Sequence, residues 1–170
     1  MKKMFLTLLS ASVVAVFFAA ATPTQAGPPE VASGKWFYLP VVTGAREAGC
    51  NLFLETIESS WWTGTFLGTS TETGNVVAHC NGKWSFNAIV EFDSVVVDDR
   101  WGTLTMSVVG SKPNIFAEWY GHWVITGGTD GLANLRGQGN FWGIGFVPPA
   151  PGQPPVDGEI DYDGIYHFEP

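Results

Sequence analysis

The sequence predicts an all-β fold, an antiparallel sandwich or barrel, with the barrel favoured. Three observations point there. Apolar and polar residues alternate with period 2 along many short runs, and helical periodicity is almost absent. Turn signals separate the runs at short intervals, with no room for crossover helices. Glycines also sit inside the runs, at Gly64, Gly68, Gly121, Gly143 and Gly145. A closing sheet needs tight bends and close backbone approach, which glycine permits.

The first 26 residues stand apart. Lys2 and Lys3 precede a mostly apolar, uncharged run from Leu6 to Ala21, and Ala21–Ala26 ends in small residues. This is the pattern of a cleaved secretory signal peptide. The apolar run falls short of the roughly 20 residues that span a bilayer, and no basic cluster follows it. The expectation is a protein exported to the periplasm or the extracellular space, with no membrane span in its mature form. Residues 27–170 would then be a single domain. Over the whole chain the formal charge is −8; the mature part keeps six of the eight basic residues and all 16 acidic ones, giving −10. Such a surface repels phosphate backbones, so no nucleic-acid partner is expected.

Both cysteines, Cys50 and Cys80, lie in the exported part. In an oxidising compartment two cysteines most simply form a disulfide. No CxxC or HxxxH spacing supports a metal site, and no basic residue crowds either thiol into reactivity.

The β-prone runs are, in order, 35–42, 51–58, 61–71, 84–97, 101–109, 117–126 and 137–146. In 84–97, Trp84, Phe86, Ala88, Val90 and Phe92 share one face, opposite Ser85, Asn87, Glu91 and Asp93. In 101–109, Gly102, Leu104, Met106 and Val108 stand opposite Trp101, Thr103, Thr105 and Ser107. Turns are expected at Glu72–Asn75, Asn81–Gly82, Asp98–Asp99, Gly110–Pro113 and Gly127–Gly131. The Pro-rich stretch at 148–156 reads as an extended linker before the last strand. From Asp157 to Phe168, Glu159, Asp161, Asp163, Ile165 and His167 alternate with Ile160, Tyr162, Tyr166 and Phe168, a half-buried strand with its acids in water. The acidic run is no EF-hand, because Pro170 falls where the closing Glu should be.

The segments Gly64–Thr71 (GTFLGTST) and Gly121–Gly139 (GHWVITGGTDGLANLRGQG) carry a more specific pattern. Their order, with a Tyr- and Asp-rich closing strand, resembles a family of small bacterial proteins of unknown function that shares the allene oxide cyclase-like barrel. The Ile125–Gly139 stretch is also similar to a segment of allene oxide cyclases and dirigent proteins. The resemblance spans about Lys35 to Phe168. It implies a closed, mainly antiparallel barrel of about eight strands with a central cavity, assembled into homo-oligomers in a bacterial setting. In that frame Gly127 and Gly128 would adopt conformations closed to other residues, and Leu132–Leu135 would plug one barrel end. The cysteine pair and the Pro-rich insertion depart from the family pattern.

Signatures of known chemistry are few. There is no GxSxG, no Walker or dinucleotide motif, and His79, His122 and His167 are not at metal-ligand spacing. No cofactor or metal is called for. On 117–125, Glu118, Tyr120 and His122 share one face and Trp119, Trp123 and Ile125 the other. With the polar face inward, the trio would be the acid–base set of a cofactor-independent cyclase or isomerase. With the apolar face inward, Trp119 and Trp123 form a wall and the trio meets solvent. An aromatic set of Trp84, Phe86, Trp119, Trp123, Phe141, Tyr162 and Tyr166 would line a ligand cavity or fill a core. Adjacent Trp61 and Trp62 must point to opposite faces. The leading functional reading is therefore binding of a small apolar or amphipathic molecule. The enzyme on the same barrel is the alternative, and a structural or partner-binding role is the third.

Overall fold

The computed structural model describes residues 27–147 and 156–170, which form one ring of eight antiparallel strands: β1 (Glu30–Ala48), β2 (Asn51–Gly64), β3 (Leu67–Ala78), β4 (Trp84–Val97), β5 (Arg100–Lys112), β6 (Trp119–Gly128), β7 (Leu135–Val147) and β8 (Val156–Phe168). Each strand pairs with the next, and β8 returns to pair with β1 over residues 30–38, closing the ring, while residues 39–48 of β1 are laddered to β2 alone among the described residues. The expected signal segment 1–26 and the linker at 148–155 lie outside the described residues, and Val156 already belongs to β8.

The ring is strongly staggered. Paired residues run around it from Lys35 through Asp161, Trp142, Tyr120, Ser111, Ser85, Val77 and Phe53, and return to β1 at Arg46, eleven residues further on. One of the eleven is absorbed by the β1 bulge between Val42 and Gly44. A large stagger tilts the strands and widens the barrel, leaving more interior than eight untilted strands would enclose.

One end of that interior is filled. Trp36 and Trp62 stack with ring centroids 4.5 Å apart, and Tyr162 packs against both and against Phe66 and Trp123. Phe66 enters from the β2–β3 turn and is fully buried. The Tyr162 hydroxyl locks that turn, donating to the Thr63 carbonyl (2.9 Å) and accepting the Phe66 N–H (3.0 Å). Desolvation pushes the phenol up to about 12, so it is a donor at neutral pH. Trp62 Nε1 donates to Ser70 Oγ at 2.9 Å. After β6 a single 3-10 turn, Asp130–Leu132, lies at the same end with Leu132 fully buried; the turn expected over Leu132–Leu135 comes earlier in the chain, and Leu135, also fully buried, begins β7.

Several local expectations change in the ring. The run 61–71 is two strands, because Gly64 takes a left-handed φ of 86° and Thr65–Phe66 turn the chain. The turn expected at Glu72–Asn75 is the middle of β3. Gly110–Pro113 does not turn at Gly110, since β5 continues to Lys112. Gly127 and Gly128 do not adopt left-handed backbone. Gly128 is needed for close approach, since a Cβ there would lie 2.5 Å from the Leu132 carbonyl oxygen, whereas one on Gly127 meets nothing within 4 Å. Asp98–Asp99, by contrast, is the expected tight turn, with both φ values positive (49° and 61°).

Cys50 and Cys80 form a disulfide, Cα–Cα 5.1 Å, tying the β1–β2 turn to the β3–β4 turn at the end opposite the plug. Two outcomes follow from this architecture. The double variant Cys50→Ser/Cys80→Ser should lose roughly 3–4 kcal/mol in denaturant unfolding, as expected for a loop of this length, and reduction of the wild type should reproduce the loss. Gly128→Ala should destabilise by about 2 kcal/mol or more while Gly127→Ala changes stability by no more than about 0.5 kcal/mol, read from the same titrations.

Candidate functional site

Among the described residues the interior is not filled at the disulfide end. An open-mouthed cavity of about 200 Å³ remains between the ends of β1–β6 and β8. Its floor is Trp36, Phe86 and Ile160, and its rim carries Val42, Leu54, Val76, Trp84 and Trp119. Trp119 stands edge-on to Phe86, centroids 4.9 Å apart. The walls are therefore mostly apolar, as small-molecule sites usually are.

Besides the phenol of Tyr38, four polar side chains interrupt them, three of them on β2 and β3. Thr56 is 5% exposed, and its Oγ1 has no hydrogen-bond partner among the described residues. An unmade hydrogen bond on a buried hydroxyl costs roughly 1–3 kcal/mol, which a ligand's polar atom would recover. Glu72 is 3% exposed, and its Oε1 accepts the Ser60 hydroxyl at 2.5 Å. Burial, reinforced by the negative charge of neighbouring Glu58, holds its carboxyl near 8, against the Ser60 hydrogen bond that favours the ionised form. At neutral pH Glu72 is thus largely a protonated acid. Glu58 faces it directly across the β2–β3 register and lines the same cavity. The fourth is Lys112, at the end of β5 and 7% exposed, whose Nζ donates to the Ile115 carbonyl at 2.9 Å and lies 4.6 Å from the Trp119 ring centroid. Desolvation lowers its pKa.

Of the aromatic set expected to line a cavity, Trp84, Phe86 and Trp119 do so. Trp123, Phe141, Tyr162 and Tyr166 point inward but belong to the packed core. Trp123 Nε1 is spent on the carbonyls of Asp163 (3.0 Å) and Asn140 (3.2 Å). The Tyr166 hydroxyl lies at the plugged end, 2.7 Å from Asp98 Oδ2 and 3.1 Å from Glu30 Oε2, and desolvation with these two acids raises its pKa.

The trio Glu118, Tyr120 and His122 faces solvent on the outer wall, because β6 turns Trp119, Trp123 and Ile125 inward. Tyr120 donates to Glu118 at 2.7 Å, and His122 Nδ1 bonds Asn140 Oδ1 at 2.9 Å. The trio therefore shares no cavity with the buried carboxyl. Trp62 goes to the core and Trp61 outside, where it stacks on Phe37. On β8, Glu159 and Asp161 face outward and pair with Lys35.

Thr56, Glu58, Glu72 and Lys112 were not singled out by pattern. A signal was present: the inward face of β2 and β3, from Leu54 to Trp62 and from Ser70 to Val76, mixes polar and apolar residues, so these strands lack the clean alternation of β4 and β5. That blur is what a strand lining a cavity shows, since its inward face need not be uniformly apolar.

No protein-family model matches the sequence, and no curated protein matches it. Among solved structures the chain is similar to a protein of unknown function from the DUF3224 family of Shewanella oneidensis MR-1, with a TM-score of 0.61 and 15% identity over 84% of this chain and 99% of that one. At that identity the likeness concerns the fold. Among the described residues no helix is long and apolar enough to cross a membrane, and no cluster of His, Cys, Asp or Glu is placed to hold a metal.

The Glu72 carboxyl generates a pH signature. Its folded value lies above the ordinary 4.5, so its protonated state supports the fold fully below about pH 4.5, and that support is lost as pH rises through about 8. Relative to wild type, Glu72→Gln should gain roughly 3–5 kcal/mol between pH 5 and 9, measured as the difference between unfolding free energies. A difference that stays flat with pH would show that Glu72 titrates normally.

Proposed function

We propose that the protein is an exported barrel that binds a small apolar or amphipathic molecule in the open end of its interior. The observation that carries this reading is the unequal filling of the barrel: one end is packed with interlocking aromatic rings, while the other keeps a cavity lined by Trp36, Phe86 and Trp119 around an unpartnered Thr56 hydroxyl. A core selected only for stability would fill such a space, since each void of this kind sacrifices dispersion contacts. Export is supported by the signal-like segment 1–26 and by the Cys50–Cys80 disulfide. We read the barrel as allene oxide cyclase-like on the Ile125–Gly139 pattern, and as a homo-oligomer on the apolar residues of its outer wall, among them Val41, Ile57, Val109 and Trp142.

A second reading, a cofactor-independent cyclase or isomerase, is favoured by one feature: a buried carboxyl with its pKa near 8 beside a second carboxyl is suited to proton transfer at neutral pH. In that case Glu72 is the acid–base group.

Native mass spectrometry of residues 27–170, purified from an oxidising compartment without denaturation, tests the binding reading by retained mass, and it also reports the number of subunits. Val76→Phe, which fills the cavity from β3, should abolish that mass while preserving the unfolding midpoint within a few degrees. Retention of the same molecule by Val76→Phe would place the ligand elsewhere. Glu72→Gln separates the two readings, because an enzyme would keep binding and lose turnover.

A further inference from the structure

The cavity's polar groups are placed unequally, and that placement narrows the ligand; the inference rests on the binding reading above. Lys112 is a nearly buried ammonium at the cavity mouth. Among the described residues it takes part in no ion pair. Of its three N–H donors one goes to the Ile115 carbonyl, and the rings of Trp119 and Trp84 lie 4.6 and 5.6 Å from Nζ. Cation–π attraction compensates only part of the hydration lost by a buried ammonium. An anion at the mouth would supply the rest through charge-assisted hydrogen bonds.

The inner wall has the opposite character. Glu58 and Glu72 face each other across β2 and β3, so a second negative charge is disfavoured there, and a protonated Glu72 and the orphaned Thr56 hydroxyl instead match neutral polar groups. An anionic ligand is thereby oriented, acid outward and body inward. Size sets the body. A cavity of about 200 Å³ is below the roughly 300–1,000 Å³ of sites for drug-sized ligands, and it is walled by Trp36, Phe86 and Trp119. It suits a single ring and not a long acyl chain.

We infer that the ligand is a small aromatic carboxylate, its acid group paired with Lys112 at the mouth and a polar ring substituent reaching the Thr56 hydroxyl inside.

The test uses 4-hydroxyphenylacetate, with phenylacetate, tyramine and 4-ethylphenol as comparison probes, titrated by calorimetry and tryptophan quenching. The hydroxy acid should bind at least about tenfold more tightly than tyramine or 4-ethylphenol. Lys112→Gln should remove about that factor for the acids and leave 4-ethylphenol within about twofold. Thr56→Val should erase the preference for 4-hydroxyphenylacetate over phenylacetate. Equal binding of acid and amine, tighter binding of the amine, or indifference of the acids to Lys112→Gln would overturn the inference. If Lys112→Gln fails to fold, the wild-type order among the four probes decides alone. Binding of 4-ethylphenol without preference for the acids would refute the inference and leave the binding reading intact. If no probe binds, the inference falls; if Val76→Phe also retains whatever mass the wild type carries, the cavity reading falls with it.

Discussion

Closure of the ring between β1 and β8, at a steep stagger, is the constraint on which the remaining structure depends. It gives every strand a partner on both sides over part of its length, which removes most of the exposed edge. The same stagger widens the barrel beyond what ordinary side chains fill along its whole length. The interior therefore needs large rings where it is to be solid. Tyr162 shows how this is done: its ring packs among Trp36, Trp62, Phe66 and Trp123, and its hydroxyl pins the turn that carries Phe66. The plug is thus assembled from β1, β2, β6, β8 and a turn, and no single segment would hold it alone.

Stability and function are divided between the two ends. The plugged end, with its 3-10 turn over Leu132, carries the cooperative packing. The open end carries a covalent link, since Cys50–Cys80 ties two turns beside the cavity mouth. This division lets polar groups with unfavourable environments, Glu72 and Thr56, persist in the interior without undoing the fold. Their cost is borne by a barrel whose other half is densely packed.

The outer wall has its own logic. Charged pairs such as Lys35 with Glu159 and Asp161 are surface interactions of small energetic weight. The same wall carries exposed apolar residues and the Glu118–Tyr120–His122 row, whose side chains bond to one another and to Asn140. A row of acid, phenol and imidazole at the start of β6, with Glu118 just before the strand, has the composition of an active site without an enclosure to lower the dielectric around it.

The sequence alone determined the strand character, which residues share a face on β4, β5, β6 and β8, the opposed directions of Trp61 and Trp62, and the tight turn at Asp98–Asp99. Each is a local consequence of period-2 alternation or of turn chemistry. It also specified the pairing of the two cysteines, since only one partner existed for each. Tertiary structure decided where the interior is full and where it is empty. Trp84 and Trp123 are equally apolar and equally inward, yet one lines the cavity and the other is sealed in the core, because height along a staggered barrel depends on the register of all eight strands together. Glu72 lay in an expected turn because Gly74 and Asn75 mimic turn chemistry; pairing with β2 and β4 overrode that local preference and carried the carboxyl inside. Lys112 looked like a residue of an exposed turn, and only the closed ring brings it between two tryptophans at the mouth. Alternation tells a strand which face is inward, but which inward residues meet in space is set by non-local pairing.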